Sequence, residues 1–96
     1  MIKDLNKHFE SRVRLGVMSI LMVNDRVDFS TLKETLELTD GNLASHIAAL
    51  EKNDYIIVYK QFVGKKPKTT YEATPLGKNA FVKHLNALES LLKMKK

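Results

Sequence analysis

Apolar residues recur at helical spacing at both ends of the chain, and they cluster as strands do only between them. Phe9, Val13, Val17, Ile20 and Leu21 form one helical stripe from about residue 4 to Val23, ended by the turn-forming Asn24, Asp25 and Arg26. Leu15, Met18 and Met22 give the same helix a second apolar face. In so short a chain that face calls for a second subunit. "VDF" at 27 to 29 is a stub of strand. In "STLKETLEL", Ser30 or Thr31 can cap a short helix, and Thr31 with Glu34 has the spacing of a capping box. Phe29, Leu32 and Leu36 face inward. Glu37, Leu38 and Thr39 form a tight turn, and Thr39 or Asp40 caps the next helix, whose buried side is Leu43, Ile47 and Leu50.

That helix ends near Asn53 and Asp54, both tolerant of the left-handed conformation. "YIIVYKQF" is β-branched and aromatic, as strands are. "VGKKPKT" is the hairpin loop, and "TYEAT" is the returning strand. Thr74 then caps a last helix with Pro75 at its first position, and Phe81, Leu85, Leu88 and Leu92 repeat along it. Two short helices joined by a tight turn and followed directly by a hairpin make a winged helix-turn-helix. The expected class is α+β, mainly α with a small β-hairpin. One domain spans 1–96, with the helix-turn-helix at about 30–53, the wing at about 55–74 and the C-terminal helix at about 75–93. The first and last helices are expected to dimerise through Leu15, Met18, Met22, Phe81, Leu85, Leu88 and Leu92.

Composition narrows the function. The 96 residues are 44% hydrophobic, enough for one modest core. No cysteine is present, so disulfides and thiolate metal sites are excluded. No signal-peptide core or stretch of roughly 18 apolar residues occurs, and a cytoplasmic protein without membrane contact is expected. The formal net charge of +5 is unevenly placed. Residues 1–40 carry six bases against seven acids, whereas residues 41–96 carry ten lysines against four acids. A basic second half points to an acidic partner.

"LTDGNLASHIAALE" and "KKPKTTYEATPLGK", in that order and spacing, resemble the small bacterial and archaeal winged helix transcriptional regulators related to the MarR and ArsR groups. The resemblance runs from about Leu15 to Leu88. It implies a recognition helix beginning near Thr39, a lysine-rich wing, a homodimer built from the terminal helices, and double-stranded DNA as partner. It departs from the family at Asn53 and Asp54, where relatives commonly have glycine. ArsR-like metal sensors use cysteine or clustered histidine and carboxylate ligands. Here His8, His46 and His84 are scattered over three elements, so neither a metal nor a cofactor is expected.

On such a helix the polar front acquires a purpose. The major groove, about 12 Å wide, admits one α-helix, so leading side chains must be short. Gly41 and Ser45 permit close approach, Asn42 and His46 can reach base edges or phosphates, and Thr39 at the helix start is a further expected DNA contact. Asp40 would be repelled by phosphate and is expected to serve as the cap. Lys60, Lys65, Lys66 and Lys68 supply affinity from the wing through counterion release, and Thr69 is a further expected DNA contact there. The expected function is a sequence-specific DNA-binding regulator, a repressor on the ground that no second domain is visible. The alternative is a winged helix that binds protein instead. A small-molecule effector between helices, lined by Met18, Met22, Phe81 and Leu85, is weaker, because such residues more often form plain core. Catalysis is not expected: no phosphate loop or nucleophilic cysteine is present, and Ser45 beside His46 is a dipeptide whose side chains diverge by about 100°.

Overall fold

Ser11 sets where the first long helix begins. In the computed structural model, which describes residues 2–94, two 3-10 turns, Ile2–Asp4 and Lys7–Phe9, precede α1 (Arg12–Val23). The apolar stripe predicted one continuous helix from residue 4, but short polar side chains interrupt it. Asn6 Oδ1 accepts from His8 N–H at 2.8 Å, and Ser11 Oγ accepts from Arg14 N–H at 3.4 Å as the N-cap of α1. Phe9 still reaches the core from its turn, against Phe81 and Tyr55 with ring centroids 5.1 and 5.3 Å away.

β1 (Val27–Asp28) runs straight into α2 (Phe29–Leu36). Asp28, rather than Ser30 or Thr31, caps that helix, its Oδ1 accepting from Thr31 N–H at 2.8 Å. Glu37 ends α2 in the left-handed region at φ 55°, a turn made without glycine. α3 (Asp40–Lys52) is capped by Thr39, whose Oγ1 accepts from Asn42 N–H at 3.2 Å. Asp40, expected as the cap, is instead the first helical residue. Its carboxylate meets Lys33 Nζ at 2.8 Å and ties the start of α3 back to α2. Beyond α3, Asp54 takes the positive φ of 59° that a family glycine would supply.

β2 (Ile56–Val63) and β3 (Lys66–Ala73) pair antiparallel from Ile56 opposite Ala73 to Val63 opposite Lys66, and β1 adds to the other edge of β3. The expected loop from Val63 to Thr69 contracts to a two-residue turn, Gly64–Lys65, with Gly64 at φ 68°. Lys66, Pro67 and Lys68 are therefore strand residues. Pro67 lies beyond the reach of β1, where β3 has a neighbour on one side only.

α4 (Pro75–Leu92) is fastened to the base of this hairpin by Thr74. Its hydroxyl donates to the Asp54 carbonyl at 2.6 Å and accepts from Gly77 N–H at 2.8 Å, while its own N–H donates to the Tyr55 carbonyl at 3.0 Å. A β-carbon on Gly77 would lie 2.1 Å from that carbonyl oxygen, so only glycine lets the two backbones meet.

The core gathers around α1, which touches α2, α3, β3 and α4. Val13, Val17, Met18 and Leu21 are buried there, with Leu15, Ile20 and Met22 packed against them. Here the expected dimer interface needs correction. Met18 is 0% and Phe81 2% exposed, both inside the chain's own core, so neither has surface to offer a second subunit. α1 is covered by more elements than a 96-residue chain suggests, β3 and an N-terminal turn among them. The same enclosure removes Met18 and Phe81 as walls of an open effector pocket.

Candidate nucleic-acid interface

With Leu43, Ile47 and Leu50 turned into the core, an advance of about 100° per residue distributes the rest of α3. Gly41, Ser45 and Lys52 point directly outward, and all are exposed. Asn42, His46 and Ala49 line the flank toward α1, and Ala44, Ala48 and Glu51 line the flank toward the hairpin. That second flank faces Val58, Lys60 and Thr69 across a narrow cleft. Thr39 is exposed at the head of the helix, though its hydroxyl is already engaged in capping.

The residues singled out on α3 are thus brought together, with one distinction. Gly41, Asn42 and Ser45 are open to solvent, whereas His46 is half-buried on the flank. Its Nδ1 accepts from Arg14 Nε–H at 3.0 Å. Desolvation, and next to it the charge of Arg14, hold the imidazole below its ordinary pKa, so it is the neutral acceptor that the hydrogen bond requires. Because Nδ1 is the acceptor, Nε2 carries the ring proton.

The hairpin holds Lys60, Lys65, Lys66 and Lys68, all exposed, and among the described residues none is in an ion pair. Strand alternation puts Lys66 and Lys68 on one face and Lys60 on the other, so positive charge surrounds the hairpin. Thr69, paired opposite Lys60 midway along the hairpin, is half-buried beside α3 rather than at the tip. The outer ends of both strands are exposed on both faces, so the hairpin projects from the body, and the molecule measures 60 × 25 × 21 Å.

Three features of this surface lay outside the sequence reading. Arg14 joins α3 only through a contact 32 residues away. Phe62 and Val63 stand 74% and 60% exposed beside the hairpin turn, an apolar tip among lysines. A cleft of about 560 Å³ opens between the start of α2 and the hairpin, walled by Phe29, Ser30, Lys66, Lys68 and Tyr71. The histidines do not converge. His84 is buried, with its Nδ1 accepting from Asn6 N–H at 2.9 Å, and His8 stands edge-on to Tyr55.

The chain that presents this polar helix face beside a projecting, lysine-rich hairpin matches the winged helix DNA-binding domain family over residues 13–92. The chain belongs to that family. It is 33% identical over 87 residues to an uncharacterized protein of Methanocaldococcus jannaschii, covering 91% of this chain and 95% of that one. It is also similar to the solved structure of a transcriptional regulator homologue from Pyrococcus horikoshii, with 33% identity, a TM-score of 0.72, and coverage of 96% of this chain and 99% of the other. The fold extends to a putative MarR family regulator from Porphyromonas gingivalis, with 17% identity, a TM-score of 0.67 and coverage of 91% and 80%. Among the described residues no helix is long and apolar enough to cross a membrane.

Proposed function

We propose that this winged helix chain is a transcriptional regulator that binds double-stranded DNA sequence-specifically as a homodimer. In this reading α3 enters the major groove and the hairpin rests on the backbone or in the minor groove. The observation that carries the reading is the pairing of two surfaces on one side of the fold. One is a helix whose leading residues Gly41, Asn42 and Ser45 are short, and the other is a hairpin whose four lysines form no ion pair among the described residues. Short side chains let a helix seat in the groove, and unpaired lysines release counterions from phosphate. The output we assign is repression, since occupancy of a duplex is enough to exclude other proteins from it.

Fluorescence anisotropy of a labelled mixed-sequence duplex across a salt series tests this. With about four phosphates neutralised per protomer, a dimer should show a log-log slope of about −7. Replacing Lys65, Lys66 and Lys68 by Ala should weaken binding and flatten that slope. The exposed Phe62 and Val63 favour the second reading, a protein-binding wing. A folded protein that ignores DNA at low salt would establish the need for that alternative.

A further inference from the structure

We propose that Arg14, held in place by His46, binds a phosphodiester of the DNA backbone on the side of α3 opposite the wing. The inference rests on the DNA-binding reading above and adds a contact on α1, outside the helix-turn-helix and the hairpin.

Three observations lead to it. First, among the described residues Arg14 is anchored by one side-chain donor: its Nε–H bonds the imidazole, which leaves the two Nη groups for another acceptor. Second, its partner is uncharged. Among the described residues no carboxylate forms an ion pair with Arg14, so the guanidinium keeps its full positive charge for a ligand. Most structural arginines spend that charge on an acid, and this one is held by a neutral acceptor instead. Third, its position is right for a second phosphate ridge. The hairpin borders the flank of α3 that carries Ala44, Ala48 and Glu51, and Arg14 reaches the opposite flank at His46.

A helix with its side chains is about 10–12 Å across, close to the width of the major groove, so a seated helix has a phosphate ridge along each flank. The hairpin lysines serve one ridge, and Arg14 serves the other. Planar, forked Nη donors suit phosphate oxygens better than a point charge does. His46 is then a positioning residue that fixes the direction of the fork, which explains why a histidine on the recognition helix turns aside from its outer face.

Anisotropy titrations against salt, with thermal melts of every variant, test the assignment. Arg14→Gln should weaken binding about tenfold and make the log-log slope shallower by about 2 in a dimer, one phosphate per protomer. Arg14→Lys should retain the slope and recover only part of the affinity, because the charge remains and the fork is lost. His46→Phe should weaken binding, and His46→Asn, whose Oδ1 can replace Nδ1 as acceptor, should rescue most of that loss. An Arg14→Gln protein that binds with wild-type affinity and slope overturns the inference while leaving the regulator reading intact. So does one that melts earlier and binds more weakly with an unchanged slope, since that marks a mere brace between α1 and α3. A wild-type protein that binds no duplex at low salt overturns both.

Discussion

Gly41 occupies the second position of α3, with no atom of its own surroundings within 4 Å of where a β-carbon would stand. Nothing inside the fold needs a glycine there, and glycine weakens a helix relative to alanine by up to about 1 kcal/mol. A residue that costs stability without an internal reason points to something outside the chain. Gly41→Ala should therefore stabilise the protein by about 0.5 kcal/mol, raising its melting temperature by about 2–4 °C, while weakening its hold on duplex DNA. Calorimetry together with anisotropy checks both halves. A stabilised variant with undiminished affinity would mean that the α3 backbone does not approach DNA at this point. Single residues also mark where the sequence was readable. Thr39 and Thr74 announce their caps locally, because a cap bonds a backbone group three residues away. Arg14 gives no such sign, since its partner is 32 residues distant and the acids of the first forty residues mask its charge in any regional sum.

Elements were legible where a single apolar stripe ran unbroken between its caps, as in α2, α3 and α4. They were misread where polar residues short enough to cap lay inside a stripe. Asn6 and Ser11 break the first helix, yet Phe9 remains in register with the core, so periodicity alone cannot reveal the interruption. The hairpin's strands were longer than expected, and its turn shorter, for a related reason. Gly64 supplies the positive φ for a two-residue turn, and Pro67 is tolerated in the strand because β1 stops short of it. The junction between hairpin and α4 is the most constrained of all. "TPLG" is there to let α4 start against the Tyr55 carbonyl, with Thr74 bridging to Asp54 and Gly77 leaving room. Gly77→Ala forces two backbones apart and should cost about 3 kcal/mol, visible as a lower urea midpoint with little change in the cooperativity of unfolding. A cost below 1 kcal/mol would show that the hairpin base yields easily, and the wing would then be a mobile arm rather than a fixed one.

For the whole molecule, what remains uncovered decides what it assembles with. The core encloses Met18 and Phe81, so the two-sided first helix that suggested a partner is satisfied by its own chain. α4 is not. Leu85, Leu88 and Leu92 stand 42%, 38% and 85% exposed at i, i+3 and i+7, one stripe along its outer face. An apolar stripe on the uncovered face of a helix is well buried by an identical one across a two-fold axis, because a self-complementary patch needs no other surface. Pairing of this kind would also set two recognition helices on one duplex, where half-sites recur about 34 Å apart. Sedimentation equilibrium should then give twice the 11.0 kDa chain mass for the wild type. Changing Leu85 and Leu88 to Glu should give a folded monomer, since neither side chain is needed by the core, and binding to a two-half-site duplex should fall far more than binding to a single half-site. A wild type that sediments as a monomer at micromolar concentration would remove α4 as an interface. The winged helix would then act singly on DNA, with a slope near half the dimer value.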